Sequence, residues 1–241
     1  MTIDIPKTQT NLTKLGYYTG GVDGVFGKNT MLGILRIATE GKITSPMPEI
    51  AKFMAELLPA SGILSAPRQL AEFVAQTAHE TGGYVRFSEG MRFTSAERIC
   101  KIWPKRFPTL ESAKPFVWDG NPEDGDEDRI LGNKVYGGRM GNELNGLDDD
   151  DGFNRRGGGL IQHTGAAEYE RLLNECGITS DQIRTDPKSM VVGAITFWQK
   201  AKVMPFVAKN DDKGARRAVN GGYIGLEEIA DIRTSILKTV V

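Results

Sequence analysis

AQTAHETGGYVRFSEGMRF, residues 75 to 93, is the stretch from which the rest of the chain can be read. Just before and within it Leu70, Phe73, Val74, Thr77 and Ala78 recur at helical spacing, which predicts a helix ended by Gly82 and Gly83. Glu80 then stands at the helix tip, and Glu89 follows nine positions later. Two carboxyls in different surroundings are the minimum equipment for hydrolysing a glycosidic bond, one protonated as an acid and the other ionised as a base. Acidic residues nine apart are common by chance. On these residues alone an ordinary helix-end carboxylate explains Glu80 equally well.

Outward from this segment the pattern stays helical. Gln9, Leu12 and Leu15 share a helix face up to Gly16, and Met31, Ile34, Leu35 and Ala38 give a second helix over residues 30 to 38. Between them lies the turn-rich span YYTGGVDGVFG, residues 17 to 27. So short a unit has little core, and it is expected to lean on its loop aromatics or a neighbour. Residues 42 to 48, with Pro46 and Pro48, read as a linker. Ile50, Phe53, Met54 and Leu57 predict a helix that Pro59 closes, and Thr94-Ser95-Ala96-Glu97 has the form of a capping box. Asp186-Pro187 opens a further helix with Val191, Ala194, Ile195 and Trp198 on its buried side. Residues 118 to 160 read as loops with a short helix near Ile130 to Tyr136. Alternation of period two is confined to Gly159 to His163, so the expected class is mainly α with at most a small sheet.

A chain of 241 residues with net charge -1 has neither the charge of a general polyanion binder nor an apolar run that spans a membrane. Nucleic acid and membrane insertion are therefore not expected. The basic pairs Arg155-Arg156 and Arg216-Arg217 read, taken alone, as solvated surface arginines. Two cysteines, Cys100 and Cys176, are too few for a disulfide framework, although their pairing stays open. The N-terminus carries no apolar stretch of signal-peptide length, so manufacture in the cytoplasm is the expectation.

Several tempting motifs fail on spacing. His79-Glu80 lacks the second histidine four positions on, where Gly83 stands, and His163 is the one other histidine. No metal and no organic cofactor are expected, and both histidines read as structural or supporting groups. Gly27-Lys28-Asn29-Thr30 lacks the glycine of a phosphate-binding loop, since Val22 occupies that place. Gly157-Gly158-Gly159 has no dinucleotide spacing and reads instead as backbone open to close approach by a ligand. Asp148 to Asp151 is out of register for a calcium loop.

Taken together, AQTAHETGGY, SEGMRFTSAERICKIWPKRFP, ILGNKVYGGRMGN (130 to 142), RRGGGLIQHTG (155 to 165) and RRAVNGGYIGL (216 to 226) resemble glycoside hydrolase family 19. This plant-chitinase-like family includes many bacteriophage endolysins. Residues 8 to 40, with LGYYTGGVDGVFGKNT, resemble a small three-helix peptidoglycan-binding module. The resemblance implies a wall-binding module over residues 1–41, a linker over 42–48, and a two-lobed lysozyme-like catalytic domain over 49–241 with substrate in its cleft. Carried over by motif, Glu80 aligns with the general acid, Glu89 with the general base, and Thr164 with the hydroxyl that helps hold the attacking water. Gln162 and Asn220 fall at sugar-binding positions, and Tyr136, Arg139 and Asn142 match a block that helps build the cleft. In the module, Tyr17, Tyr18, Asp23 and Phe26 are the expected wall-binding residues. Two departures stand out: Gly158 replaces a family arginine, and His163 a usual apolar residue.

The same resemblance implies hydrolysis of β-1,4 bonds in the peptidoglycan glycan strand by a monomeric phage endolysin of muramidase type, with inversion. Such an enzyme collects in the host cytoplasm until a holin opens the membrane, and then acts on the wall. A chitinase acting on N-acetylglucosamine polymers and a non-catalytic wall-binding protein are the alternatives.

Overall fold

The computed structural model of the chain describes residues 2–120, 126–143 and 150–241. In chain order the helices are α1 (Ile5–Lys14), α2 (Lys28–Ala38), α3 (Met47–Ser61), α4 (Pro67–Thr81), α5 (Ala96–Ile102), α6 (Leu110–Ala113) and α7 (Asp126–Tyr136). They continue with α8 (Asp151–Asn154), α9 (Ala166–Cys176), α10 (Gln182–Thr185), α11 (Pro187–Lys200), α12 (Val203–Ala208), α13 (Asp212–Asn220) and α14 (Leu226–Val240). The class is mainly α, as the periodicity predicts. Extended pairing among the described residues is limited to two isolated bridges, Ser88 with Gly158 and Gly158 with His163. No described helix is long and apolar enough to cross a membrane.

The chain forms two compact units. The first comprises Met1–Phe87, Gly159–Ile161 and Thr185–Val241, and the second Ser88–Gly158 and Gln162–Arg184. In the first, α4 is almost wholly buried, with Leu70, Phe73, Val74 and Ala78 in the same apolar cluster as Ile50 and Met54 of α3, Val191 and Trp198 of α11, and Ile236 of α14. Phe73 meets Trp198 edge to face, ring centroids 5.2 Å apart. Burying one Leu- or Phe-sized side chain of this kind contributes roughly 1.5–3 kcal/mol. The smaller core of the second unit gathers Met91, Ile99, Phe107, Leu131 and Val135.

The N-terminal residues share the first unit's core. Leu12, Met31, Ile34 and Leu35 are fully buried in the cluster that holds Met47 and Ile50, and Asn11 Nδ2 donates to Thr239 O of α14 at 3.0 Å. The neighbour on which the short unit leans is therefore α3 and α14. The described residues 2–41 contain two helices rather than three, and the helix packed on α2 is α3, which starts at Met47 inside the expected linker. Residues 17–27 stay non-helical because a buried amide organises them. Gln9 Nε2 donates to Asp23 Oδ1 at 2.7 Å and to Val25 O at 3.1 Å, while Gln9 Oε1 accepts from Gly24 N at 3.0 Å.

Local details differ from expectation at three helix ends. Pro59 lies inside α3 rather than closing it, and Gly62 in the left-handed region at φ 82 is the cap. Proline two residues from a helix end removes a single hydrogen bond, which the last turn tolerates. The N-cap of α5 is Ser95 rather than Thr94, with Ser95 Oγ accepting from Arg98 N at 3.3 Å. The Asp186 cap of α11 is as expected, its carboxylate accepting from Ser189 N at 2.9 Å. The short helix expected near Ile130 begins earlier, at Asp126. Of the acidic run, Asp148 and Asp149 lie outside the described residues. Asp150 accepts from Asn133 Nδ2 at 2.9 Å, and Asp151 pairs with Arg155.

Candidate active site

In the first unit, the end of α4 is fixed by the residues that follow it. Gly82, Gly83 and Tyr84 take positive φ in succession, 59, 80 and 61. Glycine adopts this without cost; tyrosine does not, and its buried ring compensates. The Tyr84 hydroxyl reaches back to Thr77 Oγ1 at 3.0 Å and donates to Val74 O at 3.2 Å, and Thr81 Oγ1 accepts from Tyr84 N at 2.9 Å. Burial pushes the Tyr84 hydroxyl pKa well up, so it stays a donor. A helix end clamped in this way holds the side chain of Glu80.

The carboxylate of Glu80 is 12% exposed, and its Oε1 accepts from Arg216 Nη1 at 2.5 Å. Arg216, 1% exposed on α13, also donates from Nη1 to Gln76 Oε1 at 2.9 Å and from Nε to Ile224 O at 2.6 Å. Gln76 Nε2 in turn donates to Glu72 Oε1 at 2.8 Å, and Glu72 Oε2 accepts from Arg233 Nη1 at 2.6 Å. Asp212 Oδ2 accepts from Arg233 Nη2 and its Oδ1 from Arg68 Nη2, both at 2.5 Å. Arg68, Glu72, Gln76 and Glu80 thus form one stripe along α4, at successive spacings of four, that carries a chain of charges ending at Glu80. The reading of Arg216 as a solvated arginine is corrected: it is buried because a carboxylate, an amide and a carbonyl accept from it, whereas Arg217 is exposed. Asn220, exposed, lies one turn beyond Arg216 on the same side of α13.

In the second unit Glu89 is held at both its backbone and its carboxylate. Its N–H donates to Gly157 O at 2.8 Å, and its carbonyl accepts from Arg156 Nε at 3.0 Å. Tyr136 Oη lies 2.9 Å from Glu89 Oε1 and 2.7 Å from Oε2, and Gly157 N donates to Oε2 at 3.0 Å. Burial, reinforced by the Glu89 charge, pushes the Tyr136 hydroxyl pKa far up, so it remains a protonated donor to the carboxylate. A Cβ at residue 157 would come within 2.8 Å of Gln162 Oε1 and 3.3 Å of Glu89 Oε2, so glycine there lets three groups converge. Gln162 itself takes φ 54. Thr164 Oγ1 donates to Gln162 O at 2.9 Å, which leaves its oxygen lone pairs as acceptors.

Asn142, 5% exposed, spends both ends of its amide internally, donating to Tyr136 O at 3.0 Å and accepting from Ala166 N at 2.9 Å. It shapes the loop after α7 rather than offering a free amide. Arg139 is exposed. Arg155 and Arg156 are not solvated surface charges either, since Arg155 pairs with Asp151 and Arg156 lies 3.8 Å over the Phe153 ring. Gly158, in place of an arginine, is answered by Arg184: a Cβ at 158 would lie 3.0 Å from Arg184 Cγ and 2.7 Å from Tyr169 Oη. The guanidinium of Arg184 donates to Tyr169 Oη at 3.2 Å and to the carbonyl of Asn154.

Both histidines pair with glutamates, His79 Nδ1 lying 2.9 Å from Glu228 Oε2 and buried His163 Nδ1 2.7 Å from Glu168 Oε1. Cys100 and Cys176 are free thiols. In the N-terminal residues, Tyr18 is 6% exposed and its hydroxyl donates to Gly21 O at 2.8 Å. Asp23, Tyr18 and Gln9 therefore hold the loop together. Tyr17 lies under the Arg36 guanidinium at 4.7 Å, Phe26 is partly buried, and Val22 and Val25 are exposed.

No family model matches the chain. A Haemophilus influenzae protein named glycosyl hydrolase family 19 domain-containing protein is 30% identical to it over 175 residues, which cover 71% of this chain and 80% of that protein. The chain belongs to glycoside hydrolase family 19. As a family 19 member it is a glycoside hydrolase, and its mainly helical fold agrees with that membership. Sequence reasoning missed the supports of the two glutamates, Arg216, Gln76 and Glu72 for one and Gly157 and Arg156 for the other. The spacing of four along α4 was a visible signal for part of this set, but its partners on α13 and α14 lie 136 to 161 residues away.

Proposed function

We propose that this family 19 enzyme is an endolysin that cleaves β-1,4 glycosidic bonds of bacterial peptidoglycan by single displacement. Glu80 protonates the leaving oxygen and Glu89 activates water, whose second hydrogen Thr164 Oγ1 accepts. Gln162, Asn220 and Arg139 contact sugar, while Tyr136 and Asn142 shape the site. The observation that carries the reading is that each glutamate ends a built set of hydrogen bonds, Arg216 on Glu80 and Tyr136 with Gly157 on Glu89. Surface carboxylates have no need of such support. Glu80 offers Oε2 for the proton, since its hydrogen bond to Arg216 uses Oε1. Glu89, its carboxylate held by two donors, is positioned to act as the base.

Residues 1–41 anchor the enzyme to the wall and raise the local concentration of substrate. Exposed Val22 and Val25, beside half-buried Tyr17 and Phe26, are the surface for it. Val22→Asp with Val25→Asp should then reduce sedimentation with purified sacculi, and undiminished sedimentation sinks the anchoring reading. Removal of the whole segment is a poorer test, because it strips α3 and α14 of their packing. The enzyme acts as a monomer, collects in the cytoplasm of a phage host and reaches the wall after a holin lesion.

Mass spectrometry of fragments released from sacculi, run beside turnover on chitin, tests the substrate. Soluble muropeptides with new reducing sugar ends are expected. Release of peptides without new reducing ends contradicts the reading, and turnover confined to chitin transfers it to the N-acetylglucosamine polymer. A first-formed sugar of retained anomeric configuration rules out single displacement.

A further inference from the structure

A pocket of about 470 Å³ in the second unit is lined by Ile102, Trp103, Pro104, Lys105, Arg106 and Arg139. Among the described residues half of its lining is apolar and the other half is cationic, with no carboxylate. Trp103 is held edge to face against Phe93, ring centroids 5.2 Å apart, and Ile102 is 44% exposed. Arg106 Nη2 donates to Gly137 O at 3.3 Å and Arg139 Nη1 to Val135 O at 3.4 Å. These backbone contacts place the two guanidinium groups and use few of their five N–H donors. Neither arginine, nor Lys105, makes an ion pair among the described residues. On a chain of net charge -1, three cations around an apolar floor are a local excess that an anion complements.

The position of the pocket connects it to the proposed base. Arg139 N–H donates to Tyr136 O at 3.2 Å, and the Tyr136 hydroxyl holds Glu89, so one backbone turn separates the pocket wall from the carboxylate.

We infer that this pocket receives the carboxylate end of a peptide stem carried by the glycan strand, with short aliphatic side chains against Ile102, Trp103 and Pro104. It thereby favours peptide-bearing wall glycan over an uncharged N-acetylglucosamine polymer, which has no anion to offer the three cations. The inference rests on the wall-glycan reading above and names the part of that substrate the site takes.

The test uses N-acetylmuramyl-tetrapeptide and its C-terminally amidated form, titrated into the full chain by calorimetry. Amidation, and separately Lys105→Glu, should each weaken binding by about fivefold, the effect of one exposed charge pair. Lys105→Glu should also lower kcat/KM on peptide-bearing strands by about fivefold relative to strands stripped of their stems by an amidase. Lys105 is exposed, and Lys105→Gln, with thermal melts of both variants, separates charge reversal from misfolding. Equal binding of acid and amide, or equal effects on stripped and intact strands, overturns the inference. If the muramyl peptide binds in a Lys105-dependent way while sacculi stay uncut, the pocket stands and the wall-hydrolase reading falls.

Discussion

Replacing Gln76 by methionine removes the link between the two halves of the α4 charge chain while preserving length and volume. Gln76 is fully buried; its amide N–H donates to Glu72 and its carbonyl accepts from Arg216. A thioether supplies neither a donor nor a strong acceptor. Each hydrogen bond to a charged group contributes about 1.5–3 kcal/mol, so losing both costs about 4 kcal/mol after some relaxation. At about 3 °C per kcal/mol for a chain of this size, the first unit should melt about 12 °C lower. Gln76→Glu should do at least as much harm, because it sets a second carboxyl where the donor now lies 2.8 Å from Glu72 Oε1. Differential scanning calorimetry with circular dichroism reads both variants. A Gln76→Met protein that melts within 2 or 3 °C of the parent, roughly the effect of 1 kcal/mol, would refute the claim that this amide joins the charge chain.

Two further outcomes follow from the second unit. Tyr136→Phe keeps the ring but removes the hydroxyl that lies within 2.9 Å of both Glu89 oxygens, so kcat on sacculi should fall by about tenfold or more with little change in melting; an unchanged kcat shows that the hydroxyl does not serve the base. Acid should destabilise this unit through His163 and Glu168. Burial pushes the His163 pKa below its ordinary 6.5, against the pull of its Glu168 hydrogen bond. Burial would raise the Glu168 carboxyl, but hydrogen bonds from His163 and Arg171 outweigh it and hold the group at about 2, against an ordinary 4.5. Both folded values lie below the unfolded ones, so the stability they contribute is present above pH 6.5 and 4.5 respectively; the His163 part is lost as pH falls below 6.5, and the Glu168 part as pH falls from 4.5 toward 2. Denaturant melts between pH 7 and pH 3 should show the decline, and Glu168→Gln should flatten the part below pH 4.5; an equal slope in both proteins contradicts it.

The helices were legible because their buried faces follow the helical period. Leu70, Phe73, Val74 and Ala78 on α4, and Val191, Ala194 and Trp198 on α11, are core residues where the spacing places them. The tip position of Glu80 followed from Gly82 and Gly83, and the family blocks drew attention to Tyr136 and Gln162. What the linear pattern conceals is pairing at a distance. Arg216 and Arg217 look alike in sequence, yet one is buried on Glu80 and the other exposed, because of the two it is position 216 that faces α4. Gly158 read as a missing charge, and Arg184 of α10 fills that space. In the N-terminal loop Tyr18 and Asp23, the expected wall-binding residues, both bond to Gln9, a tie to the fold of a small unit that the linear pattern does not display.

Glu80→Gln is the variant on which the account turns. The amide keeps the shape of the side chain and an oxygen for Arg216 but has no proton to give to a leaving group, so it separates chemistry from structure. Hydrolysis of purified sacculi by Glu80→Gln protein, measured beside its thermal melt, should fall by several orders of magnitude, on the order of 10³-fold or more, with the fold retained. Substantial residual hydrolysis by a folded Glu80→Gln protein would contradict the assignment of Glu80 as the acid.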